Sequence, residues 1–341
     1  MTTTRVFQST DTSAPVLTGQ VGSLAALLEA CLVGVGGVAY GSGGTAKTAA
    51  GWTLAFTATN KRAFRNSVAA GGTGHYFRID DTGGTAAGAR EAVLKGYVSM
   101  SDVDTGVGSD IMPDATLYPS GGWILKSDTA TSTARAWRII ADEISCHLWV
   151  SADGGFSQGF HSFGDLASEV PGDNYRSYVL YQASVWSSGS NASRVATGAA
   201  ETLLSPTTTA QSRGLSIMRA HAGVSAGSVQ AGLPVFGRGS VNPLSGASGG
   251  AGAPCTSATS PGSGERYFTP LLVCAEGMIR GRLRGVYSCL NDLRSVASGT
   301  LQSSASGLPA GSQLMLLQAC SSGAGNNSNV GTIAVETALA W

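Results

Sequence analysis

Short apolar segments that alternate with period two, separated by glycine-rich turns, recur along most of this chain and restrict it to a β fold. Residues 52–56, Trp-Thr-Leu-Ala-Phe, alternate in this way, as do 75–79, which run into the turn signal Asp80-Asp81-Thr82-Gly83. Further strands are expected at 91–97, 123–126, 136–141 and 145–150. Asp142-Glu143 between the last two suits a tight hairpin. A Pro171-Gly172-Asp173-Asn174 turn precedes another expected strand at 175–182, and the pattern returns at 267–273, 278–286, 313–319 and 331–335. Only one segment has helical spacing: Leu24, Leu27, Leu28, Cys31 and Leu32, with Ser23 as the expected N-cap and Gly34, Gly36 and Gly37 as the stop. The expected fold is mainly β, an antiparallel sandwich or open barrel, with one short N-terminal helix near 23–33 and long Gly/Ser/Ala-rich loops.

Three regions follow from this pattern. Residues 1–186 form an N-terminal β-rich domain, and 265–341 a C-terminal β-rich segment that packs with it. Between them, 187–264 are dominated by Ser, Thr, Ala and Gly, apart from short candidate strands at 215–221 and 233–237. That stretch carries little apolar bulk, so it is expected to be extended loop or an arm ordered by neighbouring subunits.

Charge narrows the function. Only 12% of the 341 residues are charged, half the roughly 25% of an ordinary soluble domain. With 21 basic and 21 acidic residues the formal net charge is zero, which argues against nucleic-acid binding, since displacing counterions needs excess positive charge. Weakly charged subunits repel one another little, so the composition favours a homo-oligomer or a larger assembly. No apolar run reaches the length of a membrane-spanning helix, and residues 1–9 have no signal-peptide apolar core, so no membrane partner is expected. The six cysteines lie at least fifteen residues apart, without metal-ligand spacing, and read as reduced thiols of a chain made in a cytoplasm.

No motif makes a convincing catalytic, cofactor or metal site. Residues 41–48, Gly-Ser-Gly-Gly-Thr-Ala-Lys-Thr, approach a phosphate-binding loop, but Ala46 replaces its last glycine and no long helix follows; a flexible loop is expected. Asp80-Asp81 and Asp102-Val103-Asp104 lack the spacing of a calcium loop and read as turn residues. The four histidines, His75, His147, His161 and His221, form no known ligand or catalytic motif, so no enzyme activity is expected. Arg280, Arg282 and Arg284 occupy alternate positions of an expected strand, and would all face one side as an interface to a partner's carboxylates.

Several segments together carry a resemblance. They are residues 5–33, 51–56 with 60–66, Tyr76-Phe77-Arg78-Ile79-Asp80-Asp81, 89–92 with Gly96-Tyr97, Met100-Ser101-Asp102-Val103-Asp104-Thr105-Gly106, Phe163-Gly164-Asp165 and 279–287. In these the chain resembles a family of virion structural proteins encoded by tailed bacteriophages and prophages, over most of 1–185 and 267–341. The resemblance implies a structural role in the particle; the leading expectation is a subunit of the tail or baseplate, working by contacts with copies of itself, as a trimer or hexamer, and with other phage structural proteins. It implies synthesis in the host bacterial cytoplasm, residence in the virion and no catalytic residues. A capsid-associated or head–tail connecting protein is the alternative. A receptor- or glycan-binding tail-tip protein is a further one, resting on the aromatics Trp123, Trp137, Trp149 and Trp186.

Overall fold

The computed structural model describes residues 2–84, 88–113, 115, 120–152, 158–181, 215–219, 229–230, 266, 268–275, 278–289, 296–303, 308–320 and 330–341. The fold is mainly β, with 47% strand against 7% helix. In chain order the described elements are β1 (Arg5–Gln8), α1 (Ser23–Leu32), β2 (Val38–Tyr40), β3 (Lys47–Thr48), β4 (Thr53–Ala58), β5 (Lys61–Arg65), β6 (Tyr76–Asp80), β7 (Glu91–Tyr97), β8 (Ile111–Met112), β9 (Gly122–Leu125), β10 (Ala136–Ala141) and β11 (Ser145–Ser151). There follow β12 (Gln158–Asp165), β13 (Ala167–Ser168), β14 (Ser177–Leu180), β15 (Leu215–Ile217), β16 (Val229–Gln230), β17 (Phe268–Ala275), β18 (Met278–Cys289), β19 (Thr300–Ser303), β20 (Gln313–Cys320) and β21 (Val330–Glu336).

Strands β4 to β9 make a six-stranded antiparallel sheet. A thirteen-stranded sheet contains β1, β10 to β21, and so joins strands from both ends of the sequence. The joins are narrow: Gln158 of β12 pairs with Cys320 of β20, and β13 pairs with β18 at Ala167 and Arg282. Alternation sorts the side chains of β10, β11, β12 and β14 into two cores. Trp137, Ile139, Cys146, Leu148, Phe163 and Val179 face α1 and the smaller sheet, while Ile140, Trp149, Phe160, Tyr178 and Leu180 face residues of β17, β18, β20 and β21. The middle strands are therefore buried on both faces, in a layered, sandwich-like arrangement, with no closed barrel among the described residues. Trp52, Phe77 and Phe163 pin the first interface, with ring centroids 5.5–5.7 Å apart.

The expected helix is present, but its cap is not Ser23. Gly22 occupies the N-cap in the left-handed region (φ 79°), and the carboxylate of Asp81 accepts from Leu24 N at 2.8 Å and Ala25 N at 3.4 Å. Lys126 Nζ in turn donates to Asp81, to Gln20 O and to Ser23 Oγ. Both side chains are fully buried. Burial raises the Asp81 carboxyl and lowers the Lys126 ammonium, each opposed by the charge of the other. Asp81 is thus the anchor of a distant helix and not the turn residue expected.

Residues 41–48 also differ from expectation. Residues 41–46 form the connection of the β2–β3 hairpin and 47–48 are β3 itself, with Lys47 Nζ 3.3 Å from Asp11 Oδ2, so the lysine is tied to its own chain. Of the expected 187–264 arm, only 215–219 and 229–230 are described; β15 extends the large sheet beside β14, and β16 beside β15. The rest, including the expected strand at 233–237, lies outside the described residues. Among the described residues no helix is long and apolar enough to cross a membrane.

Candidate functional site

The arginine strand is where sequence and structure differ most usefully. Along β18, Ile279 and Gly281 sit opposite the consecutive residues Cys274 and Val273 of β17, so Arg280 is the extra residue of a β-bulge. The bulge breaks the alternation, and the three arginines do not share one face. Arg280 points inward and is 1% exposed, donating through Nε and Nη2 to Asp173, both at 2.6 Å. Gly281 makes room for this: a Cβ there would lie 2.5 Å from Ala167 O of β13. Arg284 donates through Nη2 to the buried Asp142 carboxylate (3.0 Å) and to Trp341 O (2.6 Å). Only Arg282 remains exposed, with no ion-pair partner among the described residues. The expected three-arginine interface therefore reduces to Arg282, because Asp173 and Asp142 of the same chain hold the other two.

Arg282 and Arg284 line a cleft of about 280 Å³, together with Tyr287, Ser312, Glu336 and Trp341. Pro270, Pro309 and Leu339 supply apolar wall. The cleft is built where residues 2–4 meet 339–341: Thr4 Oγ1 donates to Leu339 O at 2.7 Å and Thr2 Oγ1 to Trp341 O at 3.1 Å. Glu336 fastens that turn, its Oε1 accepting from Gln313 N, Ala338 N and Leu339 N at 2.8–3.1 Å, while Trp341 Nε1 donates to Glu336 O at 3.0 Å. Gly285, at φ 64°, lets the indole lie against the main chain; a Cβ there would be 2.3 Å from Trp341 Nε1. Burial raises the Tyr287 hydroxyl, with Glu336 adding to the shift and Arg282 opposing it.

Behind the cleft lies a hydrogen-bonded chain with the residue types of a nucleophile and its base. His147 Nδ1 is 2.7 Å from Ser162 Oγ, and the His147 ring is 4.8 Å from that of Trp341. Its Nε2 donates to Arg284 O at 2.8 Å, which leaves Nδ1 as an acceptor; the single Ser162 hydroxyl proton is shared between Nδ1 and Cys146 O (3.1 Å), and Tyr178 OH lies 2.6 Å from Ser162 Oγ. Burial pushes the imidazole down to about 3 and raises the Tyr178 hydroxyl, so the chain is neutral throughout. His147 is 1% exposed and Ser162 fully buried, and both edges of the imidazole are occupied. This geometry holds layers together and offers a substrate no approach.

A second cluster joins Asp165, Ser177, Thr73 and His75. The Ser177 hydroxyl is 2.7 Å from both Asp165 Oδ1 and His75 Nδ1, which puts serine in the middle and not histidine. A serine so placed has no base set to take its proton while a carboxylate steadies that base. Among the described residues, no group of three or more His, Cys, Asp and Glu side chains could hold a metal ion. Asp102 instead accepts from Asp104 N at 2.8 Å, a turn bond. Cys31 and Cys146 are free and buried, and the other four cysteines fall outside the described side chains. Trp123, Trp137 and Trp149 are 8%, 1% and 3% exposed, so these three offer no sugar-stacking surface; Trp186 lies outside the described residues. No protein-family model matches the chain, and no curated protein matches it.

Proposed function

We propose that this chain is a structural subunit of a tailed-bacteriophage virion, set in the tail or baseplate and working by packing against copies of itself and against other particle proteins, without catalysing a reaction. The resemblance over 1–185 and 267–341 supports the reading. The observation that carries it is the scarcity of free charge. Charged residues are 12% of the chain; the Lys126–Asp81 and Arg280–Asp173 pairs bury four of them inside the fold, and the part-exposed Arg284 is paired with the buried Asp142. Subunits of such a protein meet with little long-range repulsion. Small side chains lose little rotamer entropy when an interface covers them. Arg282, exposed on the cleft and without an ion-pair partner among the described residues, is the arginine left to fix register with a neighbour.

Counting copies in purified particles tests the reading. Multiples of three or six are expected for a tail or baseplate ring; hundreds of copies would move the protein to the head, and absence from particles would end the reading. Arg282→Ala is expected to lower incorporation while leaving the purified subunit folded. Normal incorporation would leave Arg282 a solvated side chain without a neighbour to find.

A further inference from the structure

Lys126 and Asp81 are both fully buried, and Nζ of the one lies against Oδ1 of the other. Of Lys47, Lys61, Lys95 and Lys126, only Lys126 is buried. An arginine in such a place, as Arg280 against Asp173, holds a carboxylate without reacting with it. A lysine brings a primary amine, which is a nucleophile once it loses a proton. Burial raises the Asp81 carboxyl and lowers the Lys126 ammonium, so the site favours the neutral acid and the neutral amine, the two forms from which an amide condenses. The second carboxyl oxygen, Oδ2, accepts from Leu24 N at 2.8 Å and Ala25 N at 3.4 Å, at the positive end of α1. Donors so placed draw electrons from the carboxyl carbon and hold the charge that gathers on Oδ2 when that carbon is attacked. Ser23 Oγ, 3.3 Å from Nζ, is a hydroxyl able both to take and to give a proton.

We propose that Lys126 and Asp81 join in an intramolecular amide, a cross-link between Nζ and the side-chain carboxyl carbon formed with loss of one water. In the ion pair Nζ passes one proton to Oδ1, giving amine and acid. The amine lone pair forms the N–C bond, and the carbonyl π electrons move onto Oδ2, beside the N–H groups of Leu24 and Ala25. Their return breaks the bond to Oδ1, which leaves as water with a second proton from Nζ, carried by Ser23 Oγ. No other reactant is consumed. One of the three ammonium protons stays on the amide nitrogen, with Gln20 O beside it, and Oδ2 becomes the amide carbonyl oxygen at Leu24 N. Groups held in contact reach effective concentrations of about 10⁵–10⁸ M, and burial keeps out the water that would reverse the step. The product relieves the fold of two buried charges, and once joined neither group titrates. The bond ties the turn after β6, and with it the cap of α1, to the residue after β9, 45 positions along the chain. It rests on this buried pair alone, so it stands or falls independently of the virion reading.

Mass spectrometry of the purified full chain, folded, held at neutral pH and then denatured, tests it. The chain is expected to be lighter than its sequence by one water. Tryptic digestion is expected to leave the backbone uncut after Lys126 and to yield one branched fragment, in which the peptide around Asp81 is joined through the Lys126 side chain. Lys126→Arg keeps a cation for Asp81 but removes the amine, and is expected to have its full sequence mass and no branched fragment. The main readout is the mass of the parent chain, so it does not depend on how well the variant folds. A parent chain at full sequence mass after prolonged incubation would overturn the proposal. So would a water loss that persists in Lys126→Arg, which would place the dehydration elsewhere, as in a cyclised Asp153-Gly154 pair.

Discussion

Arg280→Ala is expected to destabilise the subunit by about 3–5 kcal/mol, while Arg282→Ala, two residues away, is expected to stay within about 0.5 kcal/mol of the parent. The difference comes from where each side chain ends. Arg280 and Asp173 are 1% and 2% exposed at the side chain, and truncating the arginine leaves a carboxylate buried without its cation. Ser168 Oγ and Tyr175 N still donate to Asp173, so some of the charge remains compensated. Arg282 reaches solvent and nothing described inside the chain loses a partner with it. Urea unfolding followed by tryptophan fluorescence checks both. Equal, small effects would mean that the bulge at Arg280 is absent and the strand alternates regularly. The double variant Arg280→Met with Asp173→Leu is expected to recover most of the loss, since a buried pair replaced by apolar groups of similar size is often near neutral. This also decides how the interface is to be probed. Replacing all three arginines together would unfold the subunit and mimic an assembly defect.

The strands that were legible from sequence have side chains of contrasting character on neighbouring positions. β7 and β10 have the bounds read from alternation, because Lys95 and Arg138 interrupt their apolar runs. β12 gave no such signal. Its residues Gln-Gly-Phe-His-Ser-Phe-Gly-Asp are all buried, and with both faces covered there is no polar side to alternate with. Its polar groups are satisfied in part by residues far along the chain, such as Tyr178 for Ser162 and Thr73 for Asp165. The helix was legible from the spacing of its leucines, but its cap was not, because Asp81 lies 57 residues from Leu24. The arginine ladder failed for a related reason. A bulge adds one residue to one strand, and nothing local in Ile-Arg-Gly-Arg-Leu-Arg-Gly marks which residue it is. The cleft was invisible because its walls come from Ala167 and from positions spread between 270 and 341.

Acid is expected to unfold this protein well above the pH at which carboxylates alone would do so. His147 and His161 are both fully or almost fully buried, and burial pushes each imidazole down to about 3 from an ordinary value of 6.5. His75 is lowered as well, mainly by burial, against the pull of Asp165. In the unfolded chain these rings take up protons as the pH falls through 6.5, whereas in the folded chain they do not. The unfolded state therefore binds more protons between pH 6.5 and about 3, and stability present above 6.5 is lost across that window. Two such groups give a slope approaching about 2.7 kcal/mol per pH unit, so about 6–7 kcal/mol is lost by pH 4, enough to consume the lower part of the ordinary range of about 5–15 kcal/mol. Asp81 works in the opposite direction, since its raised value favours the folded state as it protonates, but it is one group against two. The two histidines separate in a further test. His147 holds Ser162 and Arg284 O, so His147→Leu is expected to destabilise at every pH. His161 has neither ring nitrogen hydrogen-bonded, so His161→Leu removes a desolvation cost without breaking a bond. It is expected to stabilise the subunit by about 1–3 kcal/mol at neutral pH and to reduce the acid slope by about 1.4 kcal/mol per unit. Equilibrium unfolding measured from pH 7 to pH 4 would show both effects. A His161→Leu variant less stable than its parent, with an unchanged slope, would mean that the ring at position 161 has a partner in solution and titrates with it.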